Sequence, residues 1–193
     1  TTIAFNNDHF GYTLGYIAGK TSKTGSAGLV AGREISAFLE FSGGFRKGME
    51  SARPDGKVLI SYTNDWDDVA KAKSAAQNQI SQGADVLLGY LDKGAVGVFQ
   101  AAEERKAWAV SYLFDLGKQK PDLNLASVIL DYTEAVALSI ELAQKGELKS
   151  DAYLYTLGSP AGHLGTINPA VSDETKKKVS EFIREMSEGT FKD

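Results

Sequence analysis

The sequence predicts an α/β fold built on a mostly parallel sheet. Short apolar runs rich in β-branched and aromatic residues alternate with longer segments in which apolar residues recur at helical spacing. This alternation is typical of strands joined by helices that cover a sheet. With 193 residues, of which 42% are hydrophobic and 24% charged, the chain can bury one substantial core or form two small lobes.

Seven strands are predicted from the short apolar runs. In chain order they are residues 1–5, 27–32, 57–63, 85–90, 107–114, 125–130 and 152–157. A helix fits between most consecutive strands, which favours parallel pairing because a parallel connection needs a crossover.

Helices are predicted where apolar residues form a stripe along one face. The stripes are Phe10, Leu14 and Ile17; Phe38, Phe41, Phe45 and Met49; Val69, Ala72, Ala76 and Ile80; and Val179, Phe182, Ile183 and Met186. These stripes are interpreted as faces that pack on the core. A further helix is predicted from the capping box at Asp131–Glu134 to about Lys145, where Gly146 is placed to end it.

The first helix ends in Gly19-Lys20-Thr21, which resembles the end of a phosphate-binding P-loop. A P-loop needs another glycine five positions before Gly19, and that position is Leu14. A P-loop is also followed by a helix, whereas a predicted strand follows here. The segment is therefore predicted to be a helix that ends in these three residues.

Composition argues against several functional classes. The chain has no cysteine, and its two histidines, His9 and His163, lie far apart, so no metal site is expected. The net charge is −4 with acidic and basic residues interspersed, which does not indicate a nucleic-acid partner. Because no nucleophile elbow or Ser/His/Asp set is found, no catalytic residue and no cofactor are expected, and binding without chemistry is the simpler interpretation.

Polar and aromatic residues follow the ends of five predicted strands. They are Asn6, Asn7, Asp8, Asn64, Asp65, Trp66, Tyr90, Asp92, Lys93, Asp115, Asp131 and Tyr132. Because ligands of open parallel sheets bind beyond the carboxyl ends of the strands, these residues are candidates for a site. Aromatic rings stack on flat rings, and carboxylates and amides form hydrogen bonds with ring edges or sugar hydroxyls, so the mixture suits a heterocycle or nucleoside.

Each candidate also has a structural interpretation. Asp8, Asp68 and Asp131 stand where helix N-caps are common. Trp66 and Tyr90 fit a ligand site and simple packing about equally well, since a large aromatic residue in a polar loop needs a partner surface.

Four blocks of this sequence, in order, resemble the basic-membrane-protein type of substrate-binding lipoproteins of bacterial ABC importers, a family that includes purine-nucleoside receptors. The blocks are FNNDHFGYTLGYIAGKTSKTGSAGLVAG (5–32), FSGGFRKGMESARPDGKV (41–58), WDDVAKAK (66–73) and QGADVLLGYLDKGAVGVFQAAEERKAWAV (82–110). The resemblance implies a periplasmic-binding-protein type I fold. In that fold, two Rossmann-like lobes with parallel sheets are joined by crossover hinge strands and close over a ligand.

The resemblance also implies a division of the chain. Residues 1–7 are expected to form a hinge crossover, residues 8–114 and 158–193 a nearly complete second lobe, and residues 115–157 the C-terminal part of the first lobe. The N-terminal part of the first lobe is absent, which is expected to expose a sheet edge and apolar surface over residues 117–157. The chain is therefore expected either to self-associate or to keep this segment loosely ordered.

Six ligand-binding residues are expected from the resemblance together with the strand-end pattern. They are Asn7, Asp8, Trp66, Tyr90, Asp92 and Asp115. Asn7 stands where nucleoside-binding relatives often have an acid that contacts the base edge. Asp115 matches the second acid of a family D-x-D motif, whose first acid is Leu113 here.

The resemblance implies that the chain is the solute-binding component of a bacterial ABC importer, for a purine-like nucleobase or nucleoside. Its expected partners are that ligand and the membrane subunits of the transporter, and the expected location is extracytoplasmic, either in the periplasm or as a membrane-anchored lipoprotein. Two alternatives stay open. One is a ligand-sensing domain of a regulator with the same fold, and the other is a nucleoside-processing enzyme.

Overall fold

The computed structural model describes residues 1–192, and within them strands and helices alternate as the sequence predicts. In chain order the elements are β1 (Thr2–Phe5), α1 (Asn7–Thr21), β2 (Ser26–Ala31), α2 (Ser36–Ala52), β3 (Lys57–Tyr62), α3 (Val69–Ser81), β4 (Val86–Tyr90), α4 (Ala95–Arg105), β5 (Trp108–Leu113), a 3₁₀ turn (Leu116–Lys118), β6 (Asn124–Leu130), α5 (Tyr132–Gln144), β7 (Ala152–Tyr155), β8 (Gly162–Leu164) and α6 (Asp173–Glu188).

Two sheets organise these elements. The larger has six strands in the order β3-β2-β4-β5-β6-β8, and all neighbours are parallel except the antiparallel pair β6 and β8. The smaller is the parallel pair of β1 and β7, in which Thr2 lies opposite Ala152. The predicted α/β fold with parallel strands is confirmed, and β8 is a strand that the sequence did not predict.

The larger sheet extends beyond the boundary that was predicted at residue 114. Strand β6 pairs with β5, with Tyr112 opposite Val128, and β8 pairs with the other edge of β6. Residues 124–130 therefore belong to the same sheet as β2 to β5, although they were expected in the first lobe. The division into lobes itself stays a prediction.

Helices α1 and α2 pack closely enough for their backbones to touch. A Cβ atom at Gly11 would lie 2.0 Å from the carbonyl oxygen of Phe41, and one at Gly44 would lie 2.0 Å from that of Asp8. Only glycine fits at such positions. The contact brings the fully buried Phe41 and Phe45 between α1, α2 and the sheet.

Helix ends confirm most of the sequence predictions. Asp131 caps α5 by accepting a hydrogen bond from Glu134 N at 2.9 Å, and Asp68 caps α3 in the same way at Lys71. The cap of α1 is Asn6, so the alternative that assigned this role to Asp8 is wrong. Residues 7–21 form a continuous helix followed by β2, as expected for a segment that is not a P-loop. Within residues 1–192, no helix has the length and apolar character that a bilayer crossing needs.

Candidate ligand-binding cleft

A cavity of about 280 Å³ opens near the carboxyl ends of β4 and β5, where α1, α2 and α5 begin. Its lining comes from β1, these three helices and the two strands, and consists of Ile3, Ala4, Phe5, Asn7, Ala37, Glu40, Tyr90, Tyr112 and Tyr132. This is the edge of a parallel sheet at which ligands bind. The cavity therefore lies where the strand-end pattern predicted a site.

Aromatic rings form the walls of this cavity. Tyr90 and Tyr112 stack with their ring centroids 4.6 Å apart, and Phe41 packs edge-on against Tyr112 from behind at 5.0 Å. Tyr132 makes an edge contact with Phe5 at 4.8 Å but remains 54% exposed. One wall is thus a buried pair of tyrosines fixed by the core, and the other is an exposed ring with room for a partner.

A chain of hydrogen bonds crosses the cavity floor. The Tyr90 hydroxyl donates to the Tyr112 hydroxyl at 3.4 Å, and the Tyr112 hydroxyl donates to Asn7 Oδ1 at 2.7 Å. Asn7 Nδ2 donates to Phe5 O at 3.3 Å and to Glu40 Oε2 at 3.5 Å. Because the last two groups only accept, the nitrogen of the amide must face them and its oxygen must face Tyr112.

Burial keeps Tyr90 and Tyr112, the two tyrosines that line the cavity floor, protonated. Removal from water raises the pKa of Tyr112 well above its usual range, and it raises the pKa of Tyr90 as well. Both hydroxyls therefore keep their protons at neutral pH, and Tyr112 can always donate to Asn7.

Two of the six expected site residues, Asn7 and Tyr90, line this cavity. A third, Asp8, lies next to Asn7 on α1, but its carboxylate pairs with Lys47 at 3.4 Å and is not part of the lining. Asn7 thus lines the cavity, whereas the side chain of Asp8 forms a partly exposed ion pair with Lys47.

Trp66 and Asp92 contribute to a different part of the fold. The Trp66 ring covers Gly32, where a Cβ atom would lie 2.4 Å from the ring. The Trp66 carbonyl accepts hydrogen bonds from the backbone of Asp92 at 3.1 Å and Gly94 at 3.0 Å, just before α4 begins. The ring is absent from the cavity lining among the described residues, and the Asp92 side chain is exposed. Packing explains the position of Trp66 without a ligand.

The Asp115 carboxylate is occupied by contacts within the chain. It accepts hydrogen bonds from Thr166 N at 3.1 Å and from Thr166 Oγ1 at 2.8 Å, and Lys118 lies 3.8 Å away. Burial opposes its ionisation, but the hydrogen bonds from Thr166 outweigh this effect and lower its pKa. In this structure Asp115 anchors the loop after β8, and its role toward a ligand stays a prediction.

Three lining residues were not among the expected site residues. Glu40 lies on the second turn of α2, so a rule about strand ends cannot find it. Tyr112 lies inside β5, where four consecutive residues are buried, so no alternation along the strand could have indicated it. Tyr132 was among the residues at predicted strand ends but not among the six expected site residues.

Two larger hollows on the described surface have no pair of stacked aromatic rings in their lining. The hollow of about 390 Å³ beside Trp108 lies at the amino end of β5, and another of about 420 Å³ is lined by Thr63 and one face of α3. The first hollow therefore lies away from the sheet edge at which parallel sheets bind ligands. The second lies at the carboxyl end of β3, but the ring of Tyr62 is the one aromatic group among its described lining residues. Within residues 1–192, no group of three or more His, Asp or Glu side chains is placed to hold a metal ion.

The chain matches one protein family over residues 1–189, described as Bmp, the PnrA-like ABC transporter substrate-binding proteins. Among curated proteins, it is 27% identical over 184 residues to the transcriptional activator protein med of Bacillus subtilis, covering 95% of this chain and 57% of that protein. It is 32% identical over 118 residues to a purine-binding protein of Brucella abortus, covering 61% of this chain and 33% of that protein.

A solved structure supports the fold. An ABC transporter solute-binding protein from Aeropyrum pernix superposes with a TM-score of 0.85 at 19% identity, over 98% of this chain and 65% of that protein. This chain spans 57% or less of the length of the two curated relatives described above.

Proposed function

Since this chain belongs to the Bmp family of PnrA-like ABC transporter substrate-binding proteins, we propose that it forms the ligand-binding part of a solute receptor for a purine-like nucleobase or nucleoside. The family membership confirms the resemblance seen in the sequence. The receptor acts by binding without chemistry, in an extracytoplasmic location, and delivers its ligand to the membrane subunits of an importer.

The observation that carries this proposal is the tyrosine-walled cavity. Its volume of about 280 Å³ lies just below the range of roughly 300–1,000 Å³ typical of small-molecule sites, which suits a single flat ring system. The exposed face of Tyr132 offers a stacking surface, and Asn7 and Glu40 offer polar atoms to a ring edge. The relative from Brucella abortus that is named a purine-binding protein supports the same ligand class.

The experiment is a calorimetric titration of the polypeptide at its full natural length with adenine, adenosine, guanosine and inosine. Binding of at least one of these supports the proposal. Tyr132→Ala removes the exposed stacking ring, so we expect affinity to fall by about tenfold. Tyr62→Ala is the matched control, because Tyr62 is also an exposed tyrosine, at 36%, but does not line the cavity. Equal losses in both variants would contradict the assignment of Tyr132.

A second candidate is a ligand-sensing domain of a transcriptional regulator with the same fold. The relative from Bacillus subtilis that is named a transcriptional activator favours it. The two functions differ in what the full-length polypeptide contains, since a receptor needs a lipid-attachment or export signal and a regulator needs a DNA-contacting or partner-contacting segment. Cell fractionation of the native protein separates them, because a receptor is recovered outside the cytoplasm.

We also propose that this chain self-associates through α5. Of this helix only Ala135 is buried, whereas Val136 is 47% and Ile140 53% exposed, and Leu154 on β7 is 60% exposed. Exposed apolar side chains four residues apart on one helix favour association with a partner. Sedimentation should show concentration-dependent association that Val136→Glu with Ile140→Glu abolishes. Val96→Glu, at a 50% exposed position on α4, is the control, and a wild-type chain that stays monomeric would contradict this proposal.

A further inference from the structure

Among the described residues that line the cavity, Glu40 has the one carboxylate, and it lies directly beside Asn7. Its hydrogen bond from Asn7 Nδ2 is 3.5 Å long, beyond the range of about 2.7–3.2 Å that such bonds usually have. No lysine or arginine within residues 1–192 forms an ion pair with it, nor does one line the cavity. The carboxylate therefore keeps most of its capacity to accept hydrogen bonds.

The neighbouring polar groups leave Glu40 as the main free acceptor. The single proton of Tyr112 is committed to Asn7 Oδ1 at 2.7 Å, and the Tyr90 hydroxyl donates only a long hydrogen bond, of 3.4 Å, to the Tyr112 hydroxyl. The Asn7 amide nitrogen is held between Phe5 O and Glu40. These hydrogen bonds hold the amide of Asn7 in place, so a ligand that enters the cavity meets a Glu40 carboxylate that accepts only one long hydrogen bond from its neighbours.

A carboxylate has two oxygens in one plane, and it pairs best with two N–H groups that lie side by side, as in bidentate pairs with arginine. Among purine rings, the edge with a ring N–H next to an exocyclic amino group presents this arrangement. We propose, building on the function proposed above, that Glu40 is a specificity-determining residue that recognises a paired N–H edge on the ring of the ligand. Ligands without the second N–H group bind more weakly, and anionic ligands are repelled.

Guanosine and inosine test this directly, since they differ only in the exocyclic amino group next to the ring N–H. Titrations on the polypeptide at its full natural length should show tighter binding of guanosine than of inosine. In Glu40→Gln, one acceptor oxygen and the charge are lost, so we expect guanosine affinity to fall by about tenfold and inosine affinity by about threefold or less. Glu50→Gln is the matched control, because Glu50 is an exposed acid on the same helix outside the lining.

The outcomes distinguish this inference from the proposed function. If Glu40→Gln weakens guanosine and inosine equally, or changes neither, Glu40 does not recognise the paired edge and the inference is overturned, while purine binding stands. If the wild-type protein binds neither nucleoside nor any purine base, the proposed function fails and the inference fails with it. Equal melting temperatures of Glu40→Gln and wild type exclude a folding defect as the cause of a lost affinity.

Discussion

Replacing Tyr112 with phenylalanine removes the one hydroxyl that joins Tyr90 to Asn7. The 2.7 Å bond to Asn7 Oδ1 is lost, and both residues are less than 10% exposed. A buried acceptor left without a donor costs about 1–3 kcal/mol, but Asn7 borders the cavity, where water can take the place of the hydroxyl. The 3.4 Å bond from Tyr90 adds little because it is long. We therefore expect the free energy of unfolding to fall by about 1–2 kcal/mol.

Urea unfolding of wild type and Tyr112→Phe measures this loss. Calorimetry should also show weaker purine binding, by about threefold to tenfold, because the Asn7 amide loses the strongest of the hydrogen bonds that hold it in place. Tyr12→Phe is the control, since Tyr12 is a buried tyrosine whose hydroxyl donates to Ser51 Oγ at 2.9 Å outside the cavity. It should lose stability without losing affinity.

The pH dependence of the free energy of unfolding tests the same prediction a second time. The pKa of Tyr112 is raised in the folded chain, so above about pH 10 the unfolded chain releases a proton that the folded chain keeps. The stability that this group contributes is present below pH 10 and declines as the pH rises further. Tyr112→Phe should flatten that decline. Unchanged stability and affinity in Tyr112→Phe would refute the hydrogen-bond chain as the element that organises the cavity.

Three other substitutions test the remaining parts of the structure. Asp115→Asn removes a carboxylate whose pKa is lowered in the folded chain, so the stability that it contributes is present above about pH 4 and is lost as the pH falls. When the free energy of unfolding is measured at decreasing pH, the variant should therefore lose less stability than wild type. Gly44→Ala forces a methyl group against the carbonyl of Asp8, so we expect the free energy of unfolding to fall by about 1–3 kcal/mol and the melting temperature to drop. An unchanged melting temperature would contradict the close packing of α1 and α2. Trp66→Ala should lower the melting temperature while purine affinity stays within about threefold, because its ring packs on Gly32; a large loss of affinity with normal stability would instead place Trp66 at the ligand.

Periodicity in the sequence predicted most of the fold. The stripe of Phe38, Phe41 and Phe45 is fully buried, and the capping box at Asp131 begins α5 as expected. Strand β8 was missed because it has three residues and exists through pairing with β6, a contact that local patterns do not encode. For the same reason, the sequence predicted β6 as a strand but did not place it in the larger sheet, because that place depends on its pairing with β5.

The lining of the candidate cavity was predicted in part, and the missing part has a physical cause. The strand-end rule found Asn7 and Tyr90, since both follow from where parallel strands end. It could not find Glu40, which reaches the cavity from a helix. It also could not show that Asp115 is bound by Thr166, a partner 51 residues away in sequence. Contacts between distant segments decide which of several suitable side chains remain free for a ligand.

The most direct test of purine binding in this cavity is mass spectrometry of the small molecules released when the native protein, purified without added nucleosides, is denatured. We expect a purine base or nucleoside in near-stoichiometric amount from wild type and much less from Tyr132→Ala purified in parallel. Release of a sugar, an amino acid or another ligand without a purine ring would contradict the proposed function. A purine that is retained equally by Tyr132→Ala would show that the ligand binds elsewhere than in the tyrosine-walled cavity.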